Sequence, residues 1–300
     1  MASHKNDAPI RSLITFWDEM AQDDSGLLSG RTTSPADVHR LRLAAKQLRA
    51  HLRLVRPGVN PEWFKAEDLA LRDAGKQLSS LRDDHVMVKS LVSLPKALSS
   101  PKLWHAVRES IEAHNATPPN SLPPDMNDSY QQSGIAVPEV AAALRSHTHE
   151  MIHTVQPGVG WDLINQGLRH TYKKSRQHLD SWRHSQNPQC AHRLRRQVKY
   201  LAFQTGFLVP FTTKTTEKQT VRLHELERTL GKLNDLRLVE SRLRSLETEA
   251  TLNPDSAELI RHALGSKQKR LNKRAWKLAK SVFSPSPSAF LRVLRSPDRS

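Results

Sequence analysis

The sequence predicts an all-α fold, built as two helical bundles with a basic groove between them. Three observations carry this. Leu, Ala, Arg and Lys are plentiful while aromatics make up 5% of the chain and Gly only 11 of its 300 residues, which favours helix over sheet. Apolar residues recur at helical spacing through segment after segment. The chain also repeats itself, with two basic helical motifs returning in the same order.

Residues 9–22 read as a short helix with Pro9 at its start. The segment 23–37 reads as loop and ends on caps at Ser34 and Asp37. The helix over 38–56, VHRLRLAAKQLRAHLRLVR, is the most informative element. At about 100° per residue, His39, Arg42, Lys46, Arg49 and Arg53 share one narrow arc, while Leu41, Ala44, Ala45, Leu48, Leu52 and Val55 lie opposite. The cations form a ribbon about 21 Å long. Like charges one turn apart repel by a few tenths of a kcal/mol per pair, so a fold gains nothing from the ribbon without an anionic partner.

Arg56-Pro57-Gly58 closes that helix. Helices are predicted over 61–80, 78–94 and 102–114, with Pro95 and Pro101 as punctuation. Residues 115–138 hold five prolines and read as a linker. Beyond it come helices over 139–152, 161–184 and 190–211, a polar loop at 212–218, a long helix or two in line over 221–250, and a basic helix over 256–283 capped by Asn253 to Asp255. The tail from Ser284 is expected to be mobile, unless FLRVL docks.

HRLRLAAKQL (39–48) aligns with HRLRRQVKYL (192–201), and LSSLRDDHVMVKSL (78–91) with LGKLNDLRLVESRL (230–243). From the histidine to the shared aspartate the spacing is 44 in one copy (83 − 39) and 43 in the other (235 − 192). Two homologous bundles follow. Facing cationic ribbons would form a channel whose low-dielectric walls concentrate positive potential.

These paired HxxR-xxxK helices, each followed some 40 residues on by an Lxx[LR]xD segment, resemble the CHAD family of α-helical domains over residues 9–283. The resemblance implies two pseudo-symmetric four-helix bundles, 9–114 and 139–283, that bind inorganic polyphosphate in the basic channel and associate with polyphosphate granules in the cytoplasm. It implies phosphate contacts from His39, Arg42, Lys46, Arg49 and Arg53, and from His192, Arg195, Arg196 and Lys199. It also implies contacts from Tyr172, Lys173 and Arg176 in TYKKSR. Ala202-Phe203 and Gly206 interrupt the second ribbon where the family pattern and the first copy carry cations, so the first helix is expected to bear more of the binding. Arg270, Arg274 and Lys277, with Lys267, share one flank of the last helix's apolar stripe and are candidates to wall the channel.

The formal charge of +16 points to a polyanionic partner. A single cysteine, Cys190, excludes an intramolecular disulfide and fits a reducing compartment. No signal peptide or membrane span is expected. Arg suits phosphate because its planar fork bridges two oxygens, and Lys serves as a mobile point charge. A histidine heading each ribbon can donate to phosphate, or can instead buttress a carboxylate. Asp83 and Asp235 read as structural partners that orient the basic side chains, with metal ligation as the other option. No GxxxxGK[ST], GxSxG or HExxH motif is present, and His149 and His153 have metal-compatible spacing but no clear third ligand. Neither metal nor other cofactor is expected, and the chain is expected not to be an enzyme. The alternatives are general nucleic-acid binding by basic helical faces, or an accessory module of a phosphohydrolase. The six tryptophans fall on or near apolar stripes and read as core.

Overall fold

The computed structural model describes residues 2–22, 35–78, 105, 137–155, 160–185, 187–212, 214–248 and 253–295. Among these residues the protein is all-α, with nine helices and no strand. They are α1 (Ala2–Gln22), α2 (Pro35–Val55), α3 (Pro61–Gln77), α4 (Val137–Thr154), α5 (Gly160–Ser185), α6 (Pro188–Leu208), α7 (Lys214–Thr248), α8 (Pro254–Phe283) and α9 (Pro287–Arg295). Short 3-10 turns, Arg56–Gly58 and Val209–Phe211, follow α2 and α6, each opened by a proline at its first or second position. The segments expected as helices over 78–94 and 102–114, and the linker at 115–138, lie largely outside the described residues.

The boundaries follow local chemistry. Asn60 accepts from the backbone N–H groups of Glu62 and Trp63, and Pro61 occupies the first turn of α3, where a missing N–H costs nothing. Asn187 and Pro188 repeat this at the start of α6. Gly160 opens α5 in the left-handed region, at φ 47°, which favours glycine. The polar stretch expected as a loop at 212–218 is helical from Lys214, because Thr216 and Thr220 turn inward and are buried. α7 is accordingly one helix.

The described residues fall into two compact units. The first holds those up to Leu78, those from Val137 to Glu227, and those from Leu278 on; the second holds His105 and 228–277. Each takes chain from both halves of the sequence, and α7 and α8 contribute to both.

In the first unit α2 is central, packed by α1, α3, α4, α5 and α6. Leu41, Ala45, Leu48, Leu52 and Val55 are buried as the apolar stripe predicts. Ala50, His51 and Leu54 are buried as well, so the covered arc is wider than that stripe. The two copies of the repeated helix meet here: Gln204 of α6 donates from Nε2 to the Ala50 carbonyl at 2.8 Å. His51 accepts from Trp17 Nε1 at 3.4 Å, and burial pushes its imidazole down to about 3, so it stays neutral in the core. Gly167 of α5 is required, since a Cβ there would sit 2.0 Å from the Leu54 carbonyl oxygen.

Residues 287–295, expected within a mobile tail, form α9 and dock on α5. Phe290 stacks on Tyr172 with ring centroids 4.2 Å apart, and Leu291 and Leu294 are buried. Among the tryptophans, Trp17 and Trp182 are core as expected, whereas Trp63, Trp161 and Trp276 are half-buried. In the second unit, Gln268 bonds Glu240 and Arg261 pairs with Glu247, a register that sets the facing stretches of α7 and α8 antiparallel.

Candidate functional site

The ribbon on α2 does not survive as five parallel cations. His39 is exposed and Lys46 half-buried. Arg42 turns inward, and its Nη1 donates to the Leu78 carbonyl, just past the end of α3, where the last carbonyls lack helical partners. Arg49 grips Asp68 of α3 with two bonds, Nε to Oδ1 at 2.8 Å and Nη2 to Oδ2 at 3.3 Å. Arg53 reaches the same carboxylate at 2.7 Å through Nη2, while its Nη1 donates to the Arg49 carbonyl. Burial alone would raise the Asp68 pKa, but the hydrogen bonds and charges of the two guanidiniums outweigh it and hold the carboxyl below its ordinary range. Arg53 also lies 4.1 Å from the Tyr200 ring centroid, and Arg56 4.9 Å from that of Phe64.

The second copy, on α6, is built by the same logic at different positions. Arg195 and Lys199 lie 4.0 and 3.6 Å from one carboxylate oxygen of Glu227. His192 and Arg196 are exposed. In each copy one acid is thus shared by two cations, which fixes the side chains.

On α5, Lys173 and Lys174 are exposed, and Arg176 Nη1 donates to the Pro285 carbonyl at 3.2 Å. Tyr172, for which the family resemblance implies a phosphate contact, lies on the buried side of α5 with Leu168, Thr171 and Ser175. Its hydroxyl is 2.9 Å from the Pro285 carbonyl and 3.3 Å from that of Val282, so it serves the fold, not a surface ligand.

A further cation cluster in the first unit lies outside both ribbons. Arg56 Nη1 is 3.1 Å from His170 Nε2. Burial lowers the His170 pKa, and Arg56, Lys174, Arg53 and Lys173 lower it further. One helical stretch on, His178 is lowered by burial and then by Arg196, Lys174 and Arg193. Arg56, His170, Lys174, His178 and Arg193 were not singled out by the sequence. The usable signal was the TYKKSR helix itself, whose basic face continues on both sides of the tyrosine.

Arg270, Arg274 and Lys277 are exposed on α8 in the second unit. Half-buried Lys267 is lowered by burial and by Arg270 and Lys232. Asp235 is half-buried on α7 and Asp83 lies outside the described residues. In the first unit Asp68 and Glu227 orient cations. His147, of the local histidine cluster, pairs with buried Glu67 at 3.0 Å, and the described residues hold no group of three or more metal-ligating side chains. No described helix is long and apolar enough to cross a membrane.

Fold and surface together define an all-α protein with densely cationic helices. The model of the CHAD domain family matches residues 12–244, and the chain belongs to that family. The crystal structure of the CHAD domain from the plant Ricinus communis is similar in fold, with a TM-score of 0.55 at 17% identity, covering 95% of this chain and 92% of that one. No curated protein matches the chain.

Proposed function

We propose that the chain is a non-catalytic binder of long-chain inorganic polyphosphate, acting at polyphosphate granules. The observation that carries this is the double sharing of acids: Arg49 and Arg53 on Asp68, Arg195 and Lys199 on Glu227. A fold needing only neutral ion pairs would match the charges. Here two cations converge on one carboxylate in each cluster, held part-buried where attraction for an anion is screened less than in open water. Exposed Lys173 and Arg196 extend the surface, and the overall charge of +16 supports it.

Binding to such a surface releases counterions, so affinity falls steeply with salt, as it does for nucleic acids. The testing variants spare the acid-shared arginines, whose loss would disturb the fold. Replacing exposed Lys173 and Arg196 together with Ala is expected to weaken polyphosphate binding at least tenfold without lowering the thermal midpoint. Unchanged affinity, or affinity flat between low and moderate salt, would overturn the proposal. So would displacement by RNA at equal phosphate concentration, and phosphate release from the bound polymer in Mg²⁺ would overturn its non-catalytic part.

A further inference from the structure

We propose that Arg56, His170, Lys174, His178, Arg193 and Arg196 form a proton-coupled subsite, in which phosphate groups draw Arg56 off the His170 imidazole and protons are taken up at His170 and His178. The inference rests on the polyphosphate reading and adds to it a place where pH sets affinity.

The geometry begins with Arg56, which leaves the end of α2 in the 3-10 turn and brings Nη1 to 3.1 Å from His170 Nε2. A guanidinium has only N–H donors, so Nε2 must be the acceptor. The imidazole is therefore neutral, with its proton on Nδ1, for as long as the contact lasts. Protonation of Nε2 and the bond from Arg56 exclude each other. An incoming phosphate removes the conflict: the arginine fork takes two phosphate oxygens, and Nε2, once protonated, donates to another.

The surroundings act in the same direction. On His170 bear Arg53 and Arg56 from the α2 end and Lys173 and Lys174 from its own helix. On His178 bear Lys174 from its own helix and Arg193 and Arg196 from α6. All of these are cations, and Arg53 alone among them is shown bound to a carboxylate of the described residues, that of Asp68. Arg169, one residue before His170, is turned to Ser288 of α9 at 3.0 Å. Together with burial, the cations hold both imidazoles below the ordinary histidine range, so both are chiefly neutral at pH 7 in the free protein. A polyanion reverses the sign of the local field and favours the imidazolium form. Positions 170, 174 and 178 lie one turn apart along one side of α5, spanning about 12 Å. Lys174 thus stands between the two imidazoles and acts on both.

The test is titration calorimetry of the full chain with long-chain inorganic polyphosphate at pH 7, in two buffers with different protonation enthalpies. The expected result is a buffer-dependent enthalpy that corresponds to net proton uptake, with affinity about tenfold higher at pH 6 than at pH 8. In the double variant His170→Gln, His178→Gln, binding persists but most of the uptake and of the pH 6 advantage disappears. Arg56→Gln is an independent check: with the competing donor gone, His170 is protonated more readily in the free chain, so binding takes up fewer protons. Buffer-independent enthalpy, or undiminished uptake in the double variant, would overturn the subsite while leaving the polyphosphate reading intact. Absence of binding in every buffer would overturn both.

Discussion

Asp68 accepts from two guanidiniums at once, and removing its charge separates what the cluster does for the fold from what it does for a ligand. In Asp68→Asn the side chain keeps its shape, but Arg49 and Arg53 lose their counter-charge. Discounted for partial exposure, a loss of about 1–2 kcal/mol at neutral pH is expected. The pH dependence has a definite sign. The folded-state pKa lies below the ordinary 3.8, so the stabilisation is complete above that value and is lost as pH falls through the lowered one. Urea unfolding should therefore show a gap between wild type and variant at pH 7 that narrows as the pH is taken below the ordinary carboxylate range. A gap that keeps its size would show that the charge is irrelevant. Polyphosphate affinity should hold or rise, since an acid competing for the cations has gone. The role of Asp68 was hidden in the sequence for a reason the repeat makes plain. One repeat away from Asp68 stand Thr220 and Val221, and one repeat away from Glu227 stand Ala74 and Gly75. The cations recur and their acids do not, so recurrence points to Asp83 and Asp235 but not to Asp68 or Glu227.

Among elements, the crossing of α5 over α2 is set by Gly167, and a second helical glycine supplies its control. A Cβ at 167 would lie 2.0 Å from the Leu54 carbonyl oxygen and 2.6 Å from its carbon, both backbone atoms of a buried helix that cannot swing aside. Gly167→Ala is expected to cost on the order of 3 kcal/mol, because the steric conflict exceeds the gain of about 1 kcal/mol in helix propensity. At Gly265 a Cβ would meet nothing within 4 Å, and Gly265→Ala is expected to stabilise by up to about 1 kcal/mol. Chemical denaturation of both variants checks the pair, and equal effects would remove the crossing argument. Helix existence was legible from periodicity for most of the described residues, and α2, α5 and α6 fall where their apolar stripes predict. The ends were less so. Lys214 to Thr220 looks polar by composition, yet threonines bury easily on a helix face by returning their hydroxyls to carbonyls four residues back, as Thr220 does to Thr216 at 2.9 Å. The last helix is similar: FLRVL is too short to declare itself, and the ring face of Tyr172 gives it somewhere to dock.

For the whole molecule, a charge of +16 raises a question that neither single residues nor helices answer: whether a polyanion recognises the fold or merely the composition. The unfolded chain carries the same lysines and arginines and will also bind polyphosphate through counterion release. Only preorganisation distinguishes the two states. In the folded first unit, Arg49, Arg53, Arg195 and Lys199 are held by two acids, and Arg56, His170 and Lys174 are gathered at one end of α2. Little side-chain entropy is then left to lose on binding. A ligand specific to the native state at a hundred times its Kd adds about 2.7 kcal/mol to unfolding, and binding to the unfolded chain subtracts from that. Long-chain polyphosphate should therefore raise the thermal midpoint by several degrees at low salt, and the rise should fade as salt screens the surface. Hydrogen exchange under the same conditions should slow chiefly in α2, α5 and α6. If the midpoint stays level or falls while polyphosphate still binds, folded and unfolded chains hold the polymer equally well, and charge composition alone accounts for the binding.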